Sequence, residues 1–335
     1  MDRTTAEKEW LRRISGGKSA VPQRKPTSDQ TSDQSSSKPR PKPKPQPTAK
    51  KHGNGFGDIA GMEDLKQRVK EGFINVLQHR DLADAYGIRP PSMLFYGSAG
   101  CGKTFFAEKM AEEVGIHFIK VVPDDLASTM VHGTQEKIGE VFKNAERHAP
   151  ALLFFDEFDA MVPRRTGNEY NQHYDSEVNE FLCMLNHASD KGVYVLAATN
   201  HPERIDKAVL RTGRIDELVY VDMPDHEARK SLFALELAKL PREEDIDMDR
   251  LAHLTQGYNC SDINYIVKSA ARKKFNEAIG CGEHTLQNIT QKQLEEIISG
   301  RSPSVSSRDL REYQRVHREF SPKDKGGQPA SIGFR

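Results

Sequence analysis

The sequence predicts an α/β fold: a parallel-sheet large domain built around a P-loop, followed by a small all-helical lid domain. Three observations carry that expectation. Short apolar runs alternate with helical segments between about residues 92 and 221. The first run, Ser92-Met93-Leu94-Phe95-Tyr96, feeds into the glycine-rich loop Gly97-Ser98-Ala99-Gly100-Cys101-Gly102-Lys103-Thr104. Beyond Pro224 the pattern turns to helices alone. Continuous apolar strands separated by helical segments are what a parallel sheet covered on both faces requires.

Taken in order, residues 1–16 hold a possible short recruitment helix, with Trp10, Leu11 and Ile14 on one face, or else a frayed terminus. Residues 17–54 are rich in Lys, Arg, Pro, Ser and Gln and nearly free of large apolar side chains. Such a segment buries too little to offset its ordering entropy and reads as a disordered basic linker. The large domain is expected over 55–224, with a helix at 62–86, strands at 92–96, 117–122, 151–156, 192–198 and 217–221, and helices at 104–114, 134–148 and 174–188. The lid is expected over 225–302, with helices at 225–238, 247–255, 260–279 and 290–299. A final helix at 307–320 precedes a disordered tail at 321–335.

Composition narrows the setting. Lys plus Arg (49) equals Asp plus Glu (49), so net charge points to no acidic or basic partner. Four cysteines without C-x-x-C pairing read as free thiols in a reducing compartment. No apolar run reaches membrane-spanning length, no transmembrane segment is expected, and a secretory h-region is lacking, so the expected location is cytoplasmic.

The loop at 97–104 has the G-x-x-x-x-G-K-T pattern, whose backbone N–H groups cradle phosphates at a helix N-terminus. Lys103 is expected to reach the β- and γ-phosphates and Thr104 to coordinate Mg²⁺. About fifty residues on, Leu152-Leu153-Phe154-Phe155 ends in Asp156-Glu157. Asp156 is expected to hold Mg²⁺ and Glu157 to polarise the attacking water, which points to hydrolysis rather than group transfer. Asn200, after the strand ending Ala198-Thr199, is a candidate contact to the γ-phosphate or the lytic water. Arg211 and Arg214 flank a glycine turn and would most naturally reach a neighbouring subunit's nucleotide.

Phe56-Gly57-Asp58-Ile59-Ala60-Gly61, the loop at 97–104 and the strand ending in Asp156-Glu157 (the two Walker motifs), Asn200 and Arg211-Thr212-Gly213-Arg214 together resemble the AAA family of ATPases, over about residues 56–300. The resemblance implies a homo-hexameric ring with ATP and Mg²⁺ at each subunit interface. It implies that Arg211 and Arg214 are arginine fingers and that Asn200 is the first sensor. Asp58, Ile59 and Gly61 would pack on adenine, and the turn at 257–263, with Ser261, would lie near base and ribose. Gly97, Ser98, Ala99, Gly100, Cys101, Gly102, Lys103 and Thr104 would bind the phosphates with Asp156. Ala99 stands where the family often has Pro, and Cys260 where it often has Gly. Ile289-Thr290, Leu294, Pro303–Ser306 and Leu310–Tyr313 resemble the clade of katanin, spastin and the ATPase that dismantles membrane-remodelling filaments. There a terminal helix, here within 303–320, packs back on the large domain.

The matching first pore loop is Met130-Val131-His132-Gly133, with Val131 in place of the family's aromatic residue. Val offers a smaller gripping surface than an aromatic ring. The expected function is Mg-dependent ATP hydrolysis driving remodelling or disassembly of a protein substrate. The alternative is an ATP-gated assembly switch without threading. A nucleic-acid motor ranks third, because a basic linker supplies only salt-sensitive, non-specific binding.

Overall fold

The computed structural model describes residues 53–127, 133–164, 172–211, 213–280 and 286–320. The Trp10 segment, the linker up to residue 52, Met130, Val131 and His132 of the expected pore loop, Thr212 and the tail lie outside the described residues.

Five strands form one parallel sheet: β1 Met93–Tyr96, β2 His117–Val121, β3 Ala151–Phe155, β4 Val193–Thr199 and β5 Glu217–Tyr220. Their order is β2-β3-β4-β1-β5, with Phe95 opposite Ala198 and Phe155 opposite Ala197. Alternate residues of β3 and β4 enter different cores. Leu153, Phe155, Val195 and Ala197 pack on one face, while Leu152, Phe154, Leu196 and Ala198 pack on the other. That division is why these strands read as unbroken apolar runs rather than as alternating ones.

On the N-terminal side the single helix expected over 62–86 is broken. It comprises α1 Glu63–Val69, a π-helical turn Lys70–Ile74, α2 Asn75–Gln78 and α3 Arg80–Ala85. The π turn contains Gly72, a weak helix former, and its wider spacing leaves both Phe73 and Ile74 buried with Val69 and Leu77. His79 (φ −118°, ψ 51°) leaves helical geometry and separates α2 from α3.

Helix α4 (Lys103–Val114) follows the glycine loop and fills one face of the sheet with Phe106, Ala107 and Met110. After the short α5 (Pro123–Leu126) come α6 (Gly133–Arg147), the one-turn α7 (Phe158–Met161) and α8 (Gln172–Ala188). Phe142 of α6 and Phe181 of α8 cover the opposite face, where Phe181 meets Phe155 edge-on at 4.9 Å.

Residues 226–299 build a third core from α9 (His226–Leu237), α10 (Met248–Leu254), α11 (Cys260–Gly280) and α12 (Gln291–Ser299). Three of these helices start on side-chain caps. Asp225, Asp247 and Thr290 accept from the backbone N–H of Ala228 (2.7 Å), Arg250 (2.9 Å) and Gln293 (3.2 Å). Each cap satisfies a donor that the first helical turn leaves without a partner. Within α11, Asp262 is buried and accepts from Arg301 Nη2 (2.8 Å), the Ser304 backbone N–H (3.0 Å) and the Ser304 hydroxyl. Burial pushes this carboxyl up, but the hydrogen bonds of Ser304 and Arg301 more than reverse it and hold it below the usual carboxylate range.

The last helix, α13 (Ser307–Phe320), returns to the edge of the sheet. The Tyr96 hydroxyl and His317 Nδ1 are 2.9 Å apart, and the His317 ring stacks on Tyr220 at 4.1 Å. Burial pushes His317 below the ordinary histidine range, with Asp222 opposing. A histidine whose folded-state pKa is depressed binds its proton more weakly in place than released. Docking is therefore at full strength at neutral pH and erodes as pH falls through the histidine range. Hydrogen exchange across 307–320 should accelerate between pH 7.5 and 5.5 beyond the intrinsic change, and His317→Phe should flatten that response. Equal protection at both pH values in the wild type would refute the linkage.

Candidate active site

The carboxyl ends of β1, β4 and β3 bring the predicted phosphate loop, Asn200 and the Asp156-Glu157 pair to one edge of the sheet. The loop leaves β1 at Gly97, whose φ is +142° and where an added Cβ would lie 2.2 Å from the Val221 carbonyl oxygen. At Gly100 (φ +76°) an added Cβ would lie 2.5 Å from Asn259 Nδ2. Both positions need glycine, for backbone conformation and for space.

Lys103 opens α4 and turns back over the loop. Its Nζ donates to the carbonyls of Gly97 (3.0 Å) and Ser98 (2.8 Å) and to Asn200 Oδ1 (2.7 Å). Burial lowers its pKa to about 8, opposed by Cys101 and Asp156. Asn200, the weakest of the sequence candidates taken alone, thus shares the lysine with the loop. The Thr104 hydroxyl donates to Asp156 Oδ2 at 3.0 Å. A hydroxyl and a carboxylate at that distance are two hard oxygen ligands of the kind Mg²⁺ takes beside nucleotide phosphates and water, so the pair fits that ion.

Glu157 follows Asp156 in the left-handed region (φ 50°, ψ 46°), and its backbone N–H donates to Asp156 Oδ1 at 3.1 Å. A non-glycine residue held there costs about 1 kcal/mol, and such strain gathers at functional positions. Two polar neighbours escaped the sequence reading. The Thr199 hydroxyl donates to Asp159 Oδ1 (2.5 Å), tying the end of β4 to α7. Lys120 of β2 lies 2.9 Å from Asp156 Oδ2. A lysine inside the otherwise apolar run Phe118-Ile119-Lys120-Val121 was the available signal.

Beside the loop lies a cavity of about 200 Å³ lined by Asp58, Ile59, Gly100, Leu232, Ser261 and Asn264 among others. Of the expected base-side residues, Asp58 and Ile59 line it, while Gly61 (φ +63°) packs tightly on Ala228. Asp58 pairs with Lys109 at 2.9 Å, and that hydrogen bond, aided by Asn54, holds its carboxyl low. The helical layer grips the loop from outside. Asn259 Nδ2 donates to the Ala99 carbonyl (3.1 Å), and the Ser261 backbone N–H donates to the Gly100 carbonyl (3.1 Å). Cys260 Sγ lies 3.7 Å from the Cys101 carbonyl oxygen, and burial pushes the Cys101 thiol up to about 12.

The two arginines are not drawn in. Arg214 Nη1 donates to the Ala208 carbonyl at 2.6 Å, and Arg211 is exposed. Among the described residues no hydrogen bond joins either to the loop.

A glycine loop after the first strand of a parallel sheet, with an acidic pair after the strand two places away across β4, defines a P-loop nucleoside triphosphatase. Residues 93–223 match the model of the ATPase family associated with various cellular activities (AAA), and this stretch is an AAA ATPase domain. The chain is 33% identical over 273 residues to a Cell division cycle protein 48 homolog of Archaeoglobus fulgidus, covering 78% of this chain and 37% of that protein. It is also 33% identical over 241 residues to a Putative cell division cycle ATPase of Plasmodium falciparum, covering 71% of this chain and 19% of that protein. The chain therefore spans well under half the length of these relatives. No helix among the described residues is long and apolar enough to cross a membrane.

Proposed function

We propose that this chain hydrolyses Mg·ATP within a homo-hexameric ring and uses the cycle to remodel or dismantle a protein assembly in the cytosol. The observation that carries this reading is the convergence of Lys103, Asn200, Thr104 and Asp156 on one edge of the sheet. Lys103 and the loop amides would hold the β- and γ-phosphates. The cavity past Ile59 would take the adenine, with Ser261 towards the ribose. Bound Mg²⁺, held through Thr104 and Asp156, would neutralise charge on the β- and γ-oxygens. Glu157 would accept the proton of the attacking water, and Asn200 would orient that water or the γ-phosphate. Functionally, residues 55–224 would act as the motor domain, 225–302 as its lid and 303–320 as a terminal strap, the arrangement of the katanin and spastin clade.

Arg211 and Arg214 would complete the site of the adjacent subunit. The exposure of Arg211 supports this, since Arg214 already has an internal acceptor. Arg211→Ala should leave nucleotide binding intact and cut ATP turnover by roughly 10³-fold or more, the scale of an arginine finger. Mixing it with a Lys103→Ala chain should restore some turnover, because mixed rings pair an intact loop with an intact finger. Normal turnover by an Arg211→Ala, Arg214→Ala double variant would end the proposal of a site shared between subunits.

The sequence at Val131-His132 favours a second reading, a ring that switches partner affinity without threading. Replacing both residues should abolish remodelling while sparing ATPase activity if the ring pulls. An unchanged remodelling rate would favour the switch.

A further inference from the structure

Lys120 places a charge on β2, an edge strand on which only Val121 is buried. On β2 it sits opposite Phe154 of β3, two residues before Asp156, and its Nζ lies 2.9 Å from Asp156 Oδ2. The Thr104 hydroxyl donates to that same oxygen at 3.0 Å, while Oδ1 accepts the Glu157 N–H at 3.1 Å. Both carboxylate oxygens are thus engaged, and Oδ2, the one shared with Thr104, already carries a cation. This is the oxygen a dication between Thr104 and Asp156 would compete for.

The geometry points to Lys120 as an internal counter-ion that holds the metal-binding oxygen of Asp156 and sets the Mg²⁺ concentration at which the site fills. It rests on the reading of Thr104 and Asp156 as the metal's ligands. An ammonium and a dication a few ångströms apart repel, so metal entry requires the lysine to swing away or loosen its hold. The Lys120 side chain is 42% exposed and that of Asp156 23%, so the ammonium has solvent to move into. Displacement is therefore inexpensive, and the lysine should shift the metal requirement rather than block the metal. An ion pair of this exposure is worth little by itself; with the added repulsion the shift should be roughly three- to tenfold.

The test measures affinity of the full-length protein for a fluorescent ADP analogue, first in EDTA and then across a Mg²⁺ titration. Wild type, Lys120→Met and Lys120→Arg are compared. Lys120→Met should reach half of its metal-dependent tightening at about three- to tenfold lower Mg²⁺ than wild type, with equal or weaker affinity in EDTA. Lys120→Arg keeps the charge and should stay near wild type. An unchanged or higher Mg²⁺ midpoint for Lys120→Met overturns the assignment. So does an equal loss of affinity with and without metal accompanied by a lower melting temperature, the mark of a purely structural lysine. A wild-type protein that binds the analogue without any metal dependence overturns the reading of Thr104 and Asp156 first, and the role of Lys120 falls with it.

Discussion

Lys103→Ala is expected to lose ATP binding by about 30- to 5,000-fold, the range spanned by removing one partner of a buried charged contact worth about 2–5 kcal/mol. The lysine is 8% exposed and holds Gly97, Ser98 and Asn200 together through three hydrogen bonds. A buried ammonium that spends its donors on carbonyls is poorly compensated, which is why burial lowers it to about 8. A triphosphate offers it full negative charge, so the bound state favours the ammonium far more than the free state does. The pH dependence follows with a definite sign. As pH rises past about 8 the free protein loses this proton, and wild-type affinity should fall by up to tenfold per pH unit until the bound-state pKa is reached. Titration of a fluorescent ATP analogue between pH 7 and 9.5 reads both effects. Variant binding within threefold of wild type would remove Lys103 from the phosphate site.

The second large effect is expected at Glu157. Glu157→Gln keeps the size of the side chain and its place after Asp156 but removes the base, so hydrolysis should fall by roughly 10²–10⁴-fold. ATP affinity should stay near wild type, because the backbone N–H that Glu157 gives Asp156 does not depend on the side chain. The variant should accumulate as an ATP-loaded form whose nucleotide is recovered unhydrolysed after desalting. Single-turnover measurement distinguishes this from slow product release. Recovery of ADP at the wild-type rate would assign the base elsewhere.

Much of the site could be read in advance because its chemistry is local in sequence. The loop at 97–104 fixes its own geometry through glycine and the helix it opens, and Asp156-Glu157 sits where an apolar run must end. The sheet was legible for the same reason: short unbroken apolar stretches such as Leu152–Phe155, set between helical segments, fit strands covered on both sides. What escaped depended on the third dimension. Lys120 is 36 residues from Asp156 in sequence but its neighbour across two strands, and a single strand shows no partner. The π turn at Lys70–Ile74, which leaves both Phe73 and Ile74 buried, and the departure of His79 from helical geometry interrupt a helical spacing that looked continuous. Arg214 looked equivalent to Arg211 in the sequence; the Ala208 carbonyl distinguishes them.

The hydrogen bonds that Asn259 and Ser261 give to the carbonyls of Ala99 and Gly100 mean that the loop does not belong to the sheet alone. Two sites that share a deformable element exchange free energy in both directions. If triphosphate entry reshapes the loop and so reorients the helical layer, then whatever resists that reorientation must weaken the loop's grip on the triphosphate. Mechanical resistance felt far from the nucleotide would therefore register as a change in its apparent affinity.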